Sequence, residues 1–175
     1  MLVLGIDPGL AALGYGLVRS ENGLAVYVGS GTFTTNSKDP YHVRLMKLFD
    51  GICGVIEREK PDVLVMERPI YAQNVKTAQI LGQAGGMALL AGAQKGLTVM
   101  EFTPLEIKKS VVGKGRATKE QIQRMVAVLL KLPKPLPSEH ACDALACAIS
   151  YVHSEKRLRL LGKAAGEQAS WKRRR

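Results

Sequence analysis

Residues 2–9, LVLGIDPG, decide how the rest of the chain is read. Leu2, Val3, Leu4 and Ile6 form a short apolar run, interrupted by Gly5 and stopped by Pro8-Gly9. A run this short, closed by a turn signal, reads as a buried strand. Asp7 stands at its end. A carboxylate beside a buried strand is costly unless it is paired or holds a metal. Val63-Leu64-Val65-Met66 repeats the pattern and ends on Glu67, just before Arg68-Pro69. In open α/β sheets, sites are built beyond the strand ends. Two carboxylates on neighbouring strands that run the same way can face each other.

Between the two strands, Leu13–Arg19 and Leu24–Ser30 flank Glu21-Asn22-Gly23, a hairpin signal, and Gly31–Thr35 follows. Strands joined by tight turns pair antiparallel. Gly14 and Gly16 permit either a close approach to this hairpin or added twist. Asp39-Pro40 reads as an N-cap with proline at the first helical position. Leu45, Leu48, Phe49, Ile52, Val55 and Ile56 then recur at helical spacing up to Lys60-Pro61.

After Glu67, Ile70–Asn74 is loop. Val75–Lys95 is a helix rich in Gly and Ala, suited to close packing either on a second helix or on the sheet. Leu97–Phe102 is a strand. Thr103-Pro104-Leu105-Glu106 and Thr118 with Gln121 are capping boxes that open two more helices. Pro133, Pro135 and Pro137 form a stiff linker. Ser138 caps the last helix, whose first turn carries His140 and Asp143 on one face. The order β-β-β-α-β-α-β-α-α-α gives one α/β domain on a mixed sheet.

The chain has 175 residues, 46% of them apolar and 23% charged, enough for one globular domain and short for two. Its net charge of +10 and pI near 9.7 point weakly to a polyanionic partner. Residues 155–175 hold eight Lys or Arg against two Glu, which is +6 of that total. The expected division is one α/β domain over 1–154 and a basic tail over 155–175, frayed from about Gly162. Three cysteines, Cys53, Cys142 and Cys147, make no disulfide framework. No basic leader precedes the first strand, and no apolar run approaches the ~20 residues of a membrane span. A cytoplasmic location is expected.

Asp7, Glu67, His140 and Asp143 are thus four ligand-type side chains, two at strand ends and two in one helical turn. Carboxylates are hard donors suited to Mg²⁺ or Mn²⁺. Two such cations about 3.5–4 Å apart stabilise the attacking and leaving oxygens of phosphoryl transfer. Singly, each residue has an ordinary alternative, such as a turn cap, a pair with Arg68, or a helix N-terminal charge. Lys108, Lys109, Lys114, Arg116 and Lys119 cluster around the flexible loop at Gly113, as phosphate contacts or as a solvated face. His42, His153 and the cysteines have no assembled partners and read as core or surface.

The segments Gly5-Ile6-Asp7-Pro8-Gly9, Met66-Glu67-Arg68-Pro69 and His140-Ala141-Cys142-Asp143-Ala144-Leu145-Ala146 resemble those of RuvC-type Holliday-junction resolvases. So do Gly82-Gln83-Ala84-Gly85-Gly86 and Lys108-Lys109-Ser110-Val111-Val112-Gly113 with Lys119 beyond. The resemblance runs in register from Leu2 to about His153. It implies a ribonuclease-H-like fold, a five-stranded mixed sheet with helices on both faces. It also implies a homodimer that nicks two strands of a four-way junction, leaving 5′-phosphate and 3′-hydroxyl ends. Asp7, Glu67, His140 and Asp143 would be the metal ligands, for Mg²⁺ or Mn²⁺ and two ions per site. Lys108 and Lys119 would lie near the DNA backbone, and a branch-migration helicase complex would be a partner.

Two positions depart from the family pattern. His140 stands where a third carboxylate is common, which removes a negative charge, favours Mn²⁺, and offers a proton-transfer group. Three residues past Glu67, where many members carry an aromatic wedge, this chain has Ile70, with Tyr71 next. Either inserts between bases, or both pack on the body. Rival readings are a nuclease of the same fold acting on another nucleic acid, an actin-like ATPase, and a non-catalytic junction binder. The single copy of the Gly-Ile-Asp motif in 175 residues disfavours the ATPase. The intact acidic set disfavours the binder.

Overall fold

Three strands, β1 (Leu2–Asp7), β2 (Ala12–Glu21) and β3 (Leu24–Thr34), follow one another as antiparallel neighbours in a computed structural model that describes residues 1–68 and 74–172, with side chains as far as 158. Asn22 and Gly23 take positive φ at the β2–β3 turn, as the Asn-Gly signal requires. The helix α1 (Tyr41–Glu59) crosses over to β4 (Val63–Glu67), which pairs parallel with β1. The helix α2 (Val75–Gln94) then leads to β5 (Thr98–Phe102), parallel to β4. The sheet order is β3-β2-β1-β4-β5. Three further helices complete the chain: α3 (Pro104–Val112), α4 (Lys119–Leu129) and α5 (Glu139–Lys172). This is the expected five-stranded mixed sheet.

The two faces of the sheet carry separate cores. Leu4, Ile6, Leu17, Leu64 and Met66 pack with Leu48, Ile52 and Ala88, hence against α1 and α2. Val3, Val63 and Val65 pack with Ile107, Val126, Leu145 and Ile149, hence against α3, α4 and α5. Side chains alternate along a strand. Asp7 therefore shares the face of Val3 and Gly5, and Glu67 shares the face of Val63 and Val65. Both carboxylates leave the sheet on the side where α5 lies.

How deep α5 sits is set by glycines. Gly5 and Gly16 are cross-strand partners, as are Asp7 and Gly14. A Cβ on Gly5 would lie 1.9 Å from the Ala144 carbonyl oxygen, and one on Gly14 would lie 2.0 Å from that of His140. No side chain fits there, so the backbone of α5 rests directly on β1 and β2. The close approach that Gly14 and Gly16 permit is thus to a helix.

Three details differ from the sequence reading. Asp39 does not cap α1: Pro40 occupies the cap position with extended ψ, and Asp39 pairs with Lys47 at 2.7 Å instead. The last helix runs on to Lys172, past the fraying expected from Gly162. Leu, Lys, Arg, Ala, Glu and Gln are strong helix formers, and no proline follows Pro137 to stop them. The Gly/Ala-rich α2 serves two surfaces: Ala84, Gly85, Ala88 and Ala91 are buried against the sheet, while Gly82 and Gly86 face open space. The wedge candidates Ile70 and Tyr71 lie outside the described residues.

Candidate active site

Asp7 and Glu67 end adjacent parallel strands, and the Ile6–Met66 pairing sets them side by side. The first turn of α5 crosses just above. Ser138 holds that turn by accepting from the Ala141 N–H at 3.2 Å, and its hydroxyl meets Thr32 of β3 at 2.7 Å. His140 and Asp143 therefore reach down to the strand ends. His140 Nδ1 lies 2.7 Å from Asp7 Oδ2. All four residues line one cleft of about 330 Å³, with Pro8, Gly9 and Leu81. A cavity of about 180 Å³ lined by Glu67, Lys108, Lys119 and Asp143 lies beside it. Glu67, Lys119 and Asp143 belong to both.

The electrostatics are those of partly buried carboxylates crowded together beside two lysines. Burial, and then repulsion from Asp7 and Asp143, push the Glu67 carboxyl up to about 7. Burial and Asp7 likewise push Asp143 up to about 6, against the pull of Lys119 and His140. Lys119 Nζ stands 3.9 Å from both Asp143 Oδ2 and Glu139 Oε2. Lys108 also acts on Glu67. Glu139 joins the site unforeseen, although its i, i+4 relation to Asp143 placed it on the same helical face. Cys142 and Cys147 are buried, and burial pushes the Cys142 thiol up to about 12, so neither is a nucleophile.

Among the described residues, no group of three or more His, Cys, Asp or Glu is arranged to hold a metal ion as the side chains stand. The donor set nevertheless fits one. Three carboxylates and an imidazole suit a hard or borderline divalent cation, and such an ion would offset both the burial and the mutual repulsion that raise Glu67 and Asp143. Because His140 Nδ1 bonds Asp7, its Nε2 is the ring atom left for a metal or a proton.

The basic candidates separate in space. Lys108 and Lys119 face the carboxylates. Lys109 projects from the other flank of α3, into a different cavity. Lys114 and Arg116 are exposed on the α3–α4 loop and line neither cleft nor cavity at the carboxylates. Tyr71 lies outside the described residues.

The family model described as "Crossover junction endodeoxyribonuclease RuvC" matches residues 3–151. A protein of that name from Tolumonas auensis is 43% identical over 166 residues, covering 94% of this chain and 95% of the relative. Another, from Pelobacter propionicus, is 40% identical over 173 residues, 98% of each chain. Among solved structures, Thermus thermophilus RuvC in complex with a Holliday junction substrate superposes with TM-score 0.85 at 28% identity, over 90% of this chain and 96% of that one. The yeast mitochondrial Holliday junction resolvase Ydc2 shares the fold, with TM-score 0.65 at 13% identity, over 90% of this chain and 80% of that one.

Proposed function

Because the chain belongs to the RuvC family of crossover junction endodeoxyribonucleases, which are divalent-metal-dependent nucleases, we propose that it resolves four-way DNA junctions with Asp7, Glu67, His140 and Asp143 as its metal-binding catalytic set. The observation that carries this reading is the convergence of those four side chains, from two strand ends and one helical turn, on one cleft beside Lys108 and Lys119. The junction as substrate follows from the family and from the relative bound to a Holliday junction. The reaction is hydrolysis: the oxygen of water bonds to phosphorus, the P–O3′ bond breaks, and the 3′ oxygen takes a proton. The products are a 5′-phosphate and a 3′-hydroxyl.

Mg²⁺ or Mn²⁺, two ions to a site, would supply charge stabilisation of the attacking and leaving oxygens. The chain's own residues do the rest. Lys119 and Lys108 attract the phosphate and balance the carboxylates when the phosphate is away. Asp7 fixes the His140 ring through Nδ1 and so orients Nε2, which suits Mn²⁺ better than a fourth carboxylate would.

A homodimer would bring two such sites to one junction. The outer face of α2 supports it: Val75, Gly82, Gly86 and Leu90 form an exposed stripe at helical spacing, and the glycines permit close backbone approach. A branch-migration helicase complex as partner, and action in the cytoplasm, complete the proposal. No helix among the described residues is long and apolar enough to cross a membrane.

The deciding experiment compares a four-way junction with a linear duplex, with and without divalent metal, for the native chain and Asp7→Asn. The native chain should cut the junction in two symmetric places only with metal. Asp7→Asn should bind the junction and leave it intact. Cleavage by Asp7→Asn at the native rate would sink the assignment of the site, and equal cleavage of duplex and junction would sink the substrate.

A further inference from the structure

A second cavity, of about 260 Å³, lies between β5, α3 and the later part of α5. Phe102 forms its apolar floor, and Lys109, Ser110, Ser150, His153 and Arg157 line its walls. It is smaller than the ~300–1,000 Å³ of a typical small-molecule site, which favours a phosphate group over a whole nucleotide. His153, with no assigned role in sequence, has partners here. Its Nδ1 lies 3.0 Å from the Ser110 carbonyl oxygen and 3.3 Å from the Ser110 hydroxyl. A carbonyl oxygen only accepts, so Nδ1 carries the proton and Nε2 is the ring atom left over.

Lys109 and Arg157 are the cations on the cavity wall, and Glu106 is its carboxylate. Glu106 Oε2 accepts from the Thr103 N–H at 2.7 Å and the Thr103 hydroxyl at 2.8 Å, closing the capping box of α3, and its charge also feels Arg157, so one carboxylate stands against two cations. The lining therefore keeps a net positive charge.

The cavity is also in line with the active-site cleft. Asp143, Ala146, Ser150, His153 and Arg157 recur at three- and four-residue intervals and so share one face of α5. At about 1.5 Å per residue, Ser150 lies roughly 10 Å and Arg157 roughly 21 Å along the helix from Asp143. One strand of a duplex carries a phosphate about every 3.4 Å of axis, so the interval matches roughly three to six nucleotides.

We propose that this cavity is a phosphate site, formed by Lys109, His153 and Arg157, which holds the backbone of the bound DNA strand a few nucleotides from the cut. The proposal rests on the junction reading given above. Free inorganic phosphate presents the same chemistry and is the alternative source.

The test uses the full chain carrying Asp7→Asn, so that bound DNA is not cut. Junction affinity is measured by fluorescence anisotropy across a salt series, with and without Lys109→Gln and Arg157→Gln together. Both side chains are exposed, so the thermal midpoint should not move. The double substitution should weaken junction binding about tenfold and lower the salt slope by about 1 to 2. The His153 imidazole signal, followed by NMR, should shift on adding junction and respond less to inorganic phosphate. Unchanged affinity and slope would overturn the site. A shift with inorganic phosphate but none with junction would overturn the DNA strand as its occupant. If the Asp7→Asn parent fails to prefer junction over linear duplex, the junction reading falls, and the slope change on duplex still judges the cavity.

Discussion

Glu67→Gln should make the metal-free protein more stable while removing its nuclease activity. Burial and two neighbouring carboxylates raise the Glu67 pKa from 4.5 to about 7 in the fold. The folded state thus holds this proton more tightly than the unfolded chain does. The penalty on the folded state is absent below about pH 4.5, grows as pH rises to about 7, and is constant above that. One pKa unit corresponds to about 1.4 kcal/mol, so the full penalty is at most about 3 kcal/mol. Glu67 is partly exposed, and screening by water leaves a net on the order of 2 kcal/mol. For a chain of this length that is a rise in Tm of roughly 4–8 °C. Thermal melts in EDTA at pH 8 and pH 5 measure it. The variant should lead at pH 8 and keep only about a quarter of that lead near pH 5. Adding Mn²⁺ should raise the native Tm more than the variant's. A variant that melts at or below the native protein in EDTA at pH 8 would refute the charge-repulsion account. A lead that persists undiminished at pH 5 would assign the gain to packing instead.

Three further outcomes are expected. Gly5→Ala places a methyl 1.9 Å from the Ala144 carbonyl oxygen; overpacking of this kind costs at least ~1–3 kcal/mol, so chemical denaturation should show that loss together with collapsed cleavage, and a native-like midpoint would contradict the seating of α5. Gly86→Glu puts a charge on the exposed stripe of α2 and should give a monomer by light scattering, whose incisions in a junction are no longer paired; a dimer that still cuts in pairs would remove α2 from the interface. Lys119→Met removes the cation 3.9 Å from Asp143, so the salt slope of junction binding should fall by about 1; an unchanged slope would mean that Lys119 does not meet phosphate.

The sequence already showed the parts of the site that local chemistry determines. Asp7 and Glu67 were legible because each ends an apolar run at a proline-marked turn. His140 and Asp143 were legible because three-residue spacing puts both in one helical turn. The capping boxes at Thr103 and Thr118 form as their spacing requires. What escaped depends on distant partners. Asp39 has the composition of a cap, but Lys47 takes its carboxylate. Lys119 looked like one basic residue among five, and only the fold sets it against Asp143 and Glu139. His153 looked unpartnered because Ser110 is 43 residues away in sequence. The end of α5 was misjudged because fading hydrophobic periodicity is no stop signal when the residues are good helix formers.

The glycines under α5 have a consequence for how the protein can fail. Half of the four-residue constellation is carried by the sheet and half by a helix laid across it, and the gap between the halves is held by hydrogen atoms at Gly5, Gly14 and Gly16. Three missing side chains therefore matter to the cleft as much as the four present ones. A descendant gene could keep Asp7, Glu67, His140 and Asp143, gain one methyl group beneath the helix, and encode an inactive enzyme. Judged by the four proposed ligands alone, that pseudo-enzyme would pass for a working one.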